Sequence, residues 1–328
     1  MIDNNFPLYL TVFILTLAFT CLLEKKLIPM LQRSAQQPIY EEGPRWHMNK
    51  SGTPTMGGLA FVISSAASAL VAALVMLLTK NFTTLISITI CVCYALLNAG
   101  IGVIDDSVKL KNKRNLGLSA KGKLILQFIL AVVFLLARYL LLEERSMISF
   151  SFGTIDLGLL YYPISIIILL GITNCANLTD GIDGLASSVA FSVGVSLFYI
   201  SAALSTEASV YASAIIGASL GFLIFNLHPA KIFMGDTGSL FFGSLIASTS
   251  FALGNPIIAV FAGGVYVIEG VSVILQVLFY KLRGKRIFKM APLHHHLEKC
   301  GWSENRICIV SILCTFIFSI PIYIFYLP

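Results

Sequence analysis

Residues 82–106 read FTTLISITICVCYALLNAGIGVIDD, an apolar run that ends on two adjacent carboxylates, Asp105 and Asp106. A helix that crosses the hydrocarbon of a bilayer needs roughly 20 mostly apolar residues, and the stretch from Phe82 to Ile104 meets that length without a charge. It reads as a membrane-crossing helix, and the aspartate pair marks the edge where the chain leaves the apolar phase.

Similar runs recur outward in both directions, at 8–28, 57–79, 123–142, 159–175, 184–204, 209–227, 239–254, 256–280 and 305–326, which with 82–104 makes about ten spans by the same length rule. Of the 328 residues 57% are hydrophobic and 12% charged, with a mean hydropathy of +0.88. That is more apolar surface than a soluble core hides. The expected fold class is an all-α polytopic membrane protein, a single integral membrane domain over 1–328 with no separate soluble part. The first run passes directly into Glu24, Lys25 and Lys26 without a small-residue cleavage site, so it reads as a retained span. Between spans, Ile148, Phe150 and Phe152 alternate before Gly153-Thr154, followed by Ile155 and Leu157, a pattern that predicts a short outer hairpin. The cysteines sit in or beside apolar runs without metal-site spacing and read as packing residues.

If the spans alternate, Lys25, Lys26, Arg33, Lys50, Lys109, Lys121, Lys123, Lys281, Arg283 and Arg306, with others, fall on one side, and only Lys80, Arg138 and Arg145 on the other. The positive-inside rule makes the basic side cytoplasmic and both termini extracytoplasmic. The net charge of +6 is then explained by topology and by anionic membrane lipids, and calls for no nucleic acid.

On that same side fall five aspartates, in the strings Ile104-Asp105-Asp106, Thr179-Asp180-Gly181-Ile182-Asp183-Gly184 and Met234-Gly235-Asp236-Thr237-Gly238, expected in loops at helix ends. Adjacent carboxylates repel unless a proton or cation compensates them, and Mg²⁺ does so through hard oxygen ligands. Flanking glycines let backbone approach a ligand closely. Asp236 or Thr237 is also placed to cap the apolar helix that follows. Lys109 lies four residues after Asp105, one helical turn on, and Lys121 opens the next span; both suit diphosphate charge. Glu269 falls near the middle of a span, where an ionisable group faces a cavity or a partner.

His294, His295 and His296 follow Pro292 in the last basic loop. On a helix, consecutive residues diverge by about 100°, so the three do not converge on one zinc ion, and phosphate or substrate contact suits them better. The first loop, from Gly43 through Lys50 and Thr55 to Gly58, is rich in glycine and proline and reads as a shaped wall bearing cations.

These strings, taken in order over nearly the whole chain, closely resemble the phospho-N-acetylmuramoyl-pentapeptide transferase (MraY) family within the polyprenyl-phosphate N-acetylhexosamine-1-phosphate transferases. The matching blocks are Lys50 to Gly58; Asp105-Asp106 with Lys109, Asn115, Gly117, Leu118 and Lys121; Asn177 to Ala186; Asn226 through Pro229-Ala230 to Asp236; and Pro292 to His296. Leu297 stands where the family usually has Phe, and the last span lacks an expected Phe-Trp pair; both touch packing.

The resemblance implies an enzyme of the bacterial cytoplasmic membrane, its active site on the cytoplasmic face. It implies that phospho-N-acetylmuramoyl-pentapeptide passes from its UDP donor to undecaprenyl phosphate, giving lipid I and UMP, with Mg²⁺ as cofactor. Asp236 is then the leading metal ligand, with Asn177, and Asp105 or Asp106 deprotonates the lipid phosphate or helps hold the metal. Lys109, Phe233 and Asp183 line the uridine pocket, Asn177, Asp180 and Asn226 position donor or metal, and Lys121 and His295 contact phosphates. Lys50, Thr55, Gly181, His294 and His296 complete the expected substrate contacts. Direct attack by the lipid phosphate and a covalent phospho-aspartate use the same carboxylates; direct attack is the reading adopted. The same chemistry on UDP-N-acetylglucosamine is the nearest alternative, an ion-coupled transporter is one of another class, and a homodimer is left open.

Overall fold

A computed structural model describes residues 5–35, 50, 52–112, 117–144, 146–202 and 204–326. Gly43 to Asn49, Ser51 and Asn115, part of the first-loop and aspartate-pair strings, lie outside the described residues.

Among the described residues the chain is helical, as backbone in an apolar phase must be to pair its own N–H and C=O groups. The helices are α1 (Phe6–Ser34), α2 (Gly58–Leu78), α3 (Phe82–Asn112), α4 (Ala120–Leu142), α5 (Tyr161–Thr179), α6 (Leu185–Ser201), α7 (Thr206–Asn226), α8 (Gly235–Ala252), α9 (Ile257–Ala262), α10 (Gly264–Arg283), α11 (Leu293–Glu298) and α12 (Glu304–Tyr326). The expected hairpin is present: β1 (Met147–Phe150) pairs antiparallel with β2 (Gly153–Asp156), Ile148 opposite Ile155.

Eight of these helices are long and apolar enough to cross a membrane, so the chain is a multi-pass membrane protein. The remaining expected spans correspond to α6, which has 17 residues, and α8, which carries Gly, Ser and Thr where lipid-facing helices carry Leu and Ile. The burial pattern gives the reason for α8. It packs on α3, α5 and α7, and every residue from Thr237 to Phe251 is buried, so its small polar residues meet other helices and never lipid. The most apolar stretch of α7 is 83% buried, against 28% in α1, α4 and α10, which places α7 at the centre and those three at the lipid boundary. The expected span 256–280 is interrupted at Gly263-Gly264, between α9 and α10.

Two features of this packing bring functional residues together. Phe61 of α2 stacks on Phe242 of α8, ring centroids 4.4 Å apart, and meets Phe222 of α7 edge-on at 5.2 Å. Where α3 meets the start of α8, a Cβ on Gly102 would stand 2.4 Å from the carbonyl oxygen of Asp236, so only glycine admits α8 this close. At the opposite end of the bundle the hairpin is fastened by Ser151 N–H to Phe325 O at 2.7 Å and Asn255 Nδ2 to Ser149 O at 2.9 Å. There Arg138 is buried and ion-paired with Glu144.

Candidate active site

The aspartate pair does not lie in a loop. Helix α3 continues two turns past the apolar run, so Asp105 and Asp106 are inside it and nearly fully buried. Asp236 lies in the first turn of α8. The three carboxylates each offer an oxygen within 4.8 Å of the others, and two lysines clasp them. Lys109 Nζ is 2.7 Å from Asp105 Oδ2, 3.0 Å from Asp236 Oδ1 and 3.8 Å from Asp106 Oδ1. Lys123 Nζ is 3.1 Å from Asp105 Oδ1 and ion-paired with Asp236 Oδ2. Three carboxylates against two ammoniums leave one negative charge in excess, in a place where water cannot screen it fully.

Each member of the pair has its own partners. Asp106 accepts the backbone N–H of Asp236 through Oδ1 at 3.1 Å, and the N–H and hydroxyl of Thr237 through Oδ2 at 2.9 and 2.7 Å. Asp106 thus does for α8 the capping work expected of Asp236 or Thr237; the N-cap residue itself, Met234, makes no side-chain cap. Asp105 accepts the N–H of Leu118 through Oδ1 at 2.8 Å, while its Oδ2, close as it is to Lys109, is buried and accepts no directed hydrogen bond. Three carboxylates gathered at one point, with one negative charge more than the two ammoniums compensate, fit a hard divalent cation.

Asn177, in the last turn of α5, donates through Nδ2 to Ser239 at 2.8 Å, three residues on from Asp236. Its side-chain carbonyl is the atom able to ligate. Asp180 follows α5 directly, and its carboxyl is pushed up to about 8, by burial first and then by the negative charges of Asp236, Asp106 and Asp183, against the opposing Lys109. Asp183, in the same turn, is buried and belongs to a second group of charges: Lys50 Nζ meets its Oδ1 at 2.7 Å, and His228 Nδ1 and the Ala230 N–H meet its Oδ2 at 2.9 and 3.0 Å.

Asn226 spends its amide inside the protein, accepting the Gly184 N–H at 3.1 Å and donating to Ile232 O at 2.9 Å. It joins the end of α7 to both functional turns. The loop before α8 is fixed to the first loop through backbone, Phe233 N–H to Pro54 O at 2.8 Å and Gly57 N–H to Phe233 O at 2.9 Å, with Thr55 buried beside them.

The three histidines diverge, as their helical spacing requires. His294 is fully buried; its N–H donates to both oxygens of Glu269 at 3.1 and 3.2 Å, and its Nδ1 lies 3.1 Å from Glu269 Oε2. Its Nε2 has no hydrogen-bond partner and faces Gly181, where a Cβ would stand 2.2 Å away. His295 pairs with Glu298 at 2.7 Å, and His296 Nδ1 accepts the Lys289 N–H at 3.1 Å. The mid-span Glu269 is therefore a paired group.

Of the expected residues, Asp105, Asp106, Lys109 and Asp236 converge on one centre, with Asp180 beside them. Lys50 and Asp183 form the neighbouring group, and Lys121 lies on the exposed side of the first turn of α4. Lys123, Thr237, His228 and Glu304 join these groups without being among the residues expected from the sequence. Position two residues beyond Lys121 is the signal that was available for Lys123: on a helix, two residues is about half a turn, so only one of the two can face α3.

Comparison with known proteins matches residues 85–254 to glycosyl transferase family 4 and residues 50–62 to the first phospho-N-acetylmuramoyl-pentapeptide transferase signature. The phospho-N-acetylmuramoyl-pentapeptide transferase of Halalkalibacterium halodurans is 44% identical over 299 residues, 90% of each chain. The chain belongs to the phospho-N-acetylmuramoyl-pentapeptide transferase family. The transferases of Clostridium botulinum strain Eklund 17B (41% identical, covering 96% of this chain and 95% of that one) and Bacillus subtilis strain 168 (43%, 88% of each) are similarly related. As a member of this family the protein is an enzyme. The broader match takes in Asp105, Asp106, Lys123, Asn177, Asp180, Asp183, Asn226 and Asp236, and the signature takes in Lys50 and Thr55. The histidine run and Glu304 fall outside both.

Proposed function

We propose that this protein, as a single transferase domain over residues 1–328, transfers phospho-N-acetylmuramoyl-pentapeptide from its UDP donor to undecaprenyl phosphate, forming lipid I and UMP in the bacterial cytoplasmic membrane. The observation that carries the reading is the Asp105, Asp106 and Asp236 centre clasped by Lys109 and Lys123 at one end of an apolar bundle, in a chain of this family. A soluble anionic donor and a lipid phosphate whose tail stays in the bilayer meet only at such an edge, and the lysine bias makes that edge cytoplasmic.

An oxygen of the lipid phosphate attacks the donor's β-phosphorus and forms a new P–O bond as the bond from β-phosphorus to the bridging oxygen breaks, with UMP leaving. Catalysis of such a transfer is chiefly positioning and neutralisation of charge. Asp236 and the Asn177 carbonyl, with Asp105 beside them, would hold Mg²⁺, which would supply Lewis-acid neutralisation of phosphate oxygens. Lys109 and Lys123 hold Asp105 and Asp236 in register and bring positive charge to the diphosphate. Asp105, the member of the pair not committed to capping α8, is the residue that accepts the proton of the attacking lipid phosphate. Direct attack by the lipid phosphate and a phospho-aspartate use the same carboxylates, and the proposal takes direct attack.

The deciding experiment incubates purified protein with Mg²⁺, undecaprenyl phosphate and either UDP-N-acetylmuramoyl-pentapeptide or UDP-N-acetylglucosamine. UMP release with a lipid-linked muramoyl product is expected from the first donor only; product from the second donor alone would assign the chain to the related chemistry. Omitting Mg²⁺ should abolish turnover, and full activity in chelator would remove the metal from the mechanism.

A further inference from the structure

Glu304 opens α12, far in sequence from every aspartate string, and its side chain joins two other segments of the chain. Its Oε2 accepts the backbone N–H of Asp183 at 2.7 Å and the ammonium of Lys50 at 2.7 Å, and its Oε1 lies 3.4 Å from His228 Nδ1. Asp183 in turn holds the same Lys50 ammonium at 2.7 Å. One turn along α12, Cys308 Sγ donates to the Asp183 carbonyl at 3.4 Å. A single carboxylate on the last long helix therefore fixes the end of the first loop and the turn after α5, and touches the loop after α7.

Asp183, His228 and Glu304 bring ligand atoms within 4.8 Å of one another, an arrangement that resembles a cation site. The Lys50 ammonium already meets both carboxylates at 2.7 Å and supplies the positive charge they need, so the group is a clamp on a lysine. An ammonium has three N–H bonds. Among the described residues these two carboxylates are its ion-pair partners, which leaves one N–H for an anionic group outside the clamp, and the Lys50 side chain keeps 17% of its surface exposed.

We propose that Glu304 is a positioning residue for the nucleotide donor, acting through Lys50 and Asp183 without touching the reacting atoms. This rests on the transferase reading above and on the donor contacts that the family resemblance implies for Lys50 and Asp183. Removing Glu304 frees the Asp183 N–H, takes one of two carboxylates from Lys50 and loosens both before the donor arrives, so the cost falls on donor binding. Geometry at Asp105 and Asp236 is untouched, so the chemical step and lipid-phosphate binding are spared.

The test varies the donor and the lipid phosphate separately in steady-state kinetics on the full-length enzyme and measures UMP binding by calorimetry, with a thermal melt of each variant. E304A should raise the donor KM and weaken UMP binding about tenfold, corresponding to about 1.4 kcal/mol, with kcat and the lipid KM within about twofold. E304Q, which keeps an oxygen for the Asp183 N–H and Lys50, should recover more than half of that loss on a logarithmic scale. Unchanged donor KM and UMP affinity in E304A overturn the proposal, as does an equal fall in kcat or a loss that tracks the melting temperature. A changed Mg²⁺ requirement in E304A overturns it in favour of a cation site. Should E304A not fold, E304Q decides by the same readouts: a donor KM raised without change in kcat supports the proposal, and wild-type constants overturn it. Wild-type enzyme inactive on both substrates together refutes the transferase reading instead, so the two failures are distinguishable.

Discussion

Asp106 on α3 accepts the backbone N–H of Thr237 on α8 at 2.9 Å and the hydroxyl of the same residue at 2.7 Å. A carboxylate from one helix thereby caps the start of another, and it is this contact, with the Asp236 N–H at 3.1 Å, that sets where the Asp236 side chain projects. The favourable field at a helix N-terminus adds to it.

Thr237→Val keeps the side-chain volume and removes only the hydroxyl, so it should cost about 1–2 kcal/mol of stability and lower kcat through a shifted Asp236. Asp106→Asn replaces one of the two accepting oxygens by an amide N–H₂ that then faces a backbone donor, and should cost more on both counts. Thermal unfolding in detergent beside UMP release reads both; a D106N protein that melts like wild type would refute the capping role.

Lys123 clasps Asp105 and Asp236, whereas Lys121 lies on the exposed side of α4. K123A should lose about 100-fold in kcat/KM, the scale of removing one positioned charge from a transition state, and K121A about threefold or less. The reverse order would mean that α4 turns by half a turn when substrates bind.

Asp180 gives the site a pH dependence with a definite sign. Its folded-state value of about 8 is above the ordinary 3.8, so between these the folded cation-free protein holds a proton that the unfolded chain has lost. The contribution to stability therefore declines as pH rises from 3.8 to about 8 and is level above it. A divalent cation placed beside Asp180 must expel that proton below pH 8, so cation affinity should rise with pH, by at most about tenfold per unit, and level off above about 8. Titrating Mn²⁺ or Mg²⁺ against the wild type and D180N at several pH values checks this: D180N should flatten the curve, and an unaltered slope would exclude Asp180 as its source.

Glu269 accepts the buried backbone N–H of His294, and leaving such a donor unsatisfied costs about 1–3 kcal/mol. E269A should be destabilised on that scale, whereas E269Q, which still accepts the His294 N–H, should melt closer to wild type with an unchanged donor KM. A raised donor KM in a normally melting E269Q would instead make Glu269 part of the cleft wall.

The helical bundle, its hairpin and the family were legible in the chain itself, because hydrophobic run length and strings such as Asn177 to Ala186 are local properties. Local too was the Asp105–Lys109 pair, whose spacing alone places both on one face of a helix. Three features resisted that reading. The apolar run at 82–104 predicts a helix end at Ile104, yet α3 runs on to Asn112, since Asp106 finds the α8 N-terminus and Asp105 finds two lysines, and a paired carboxylate need not leave the helix to reach water. Helix α8 lacks the apolarity of a lipid-facing span because other helices enclose it. Lys123 differs from Lys121 only by rotation about α4, and rotation is fixed by what the helix packs against. The sequence by itself determined that long apolar helices recur along the chain and which carboxylates are available. Only the tertiary structure decided that Asp106 caps, that Asp105 and Asp236 share two lysines, and that Glu304, 121 residues beyond Asp183, holds the turn before it: side-chain pairing acts through space over a few ångströms and leaves no spacing in the chain to read.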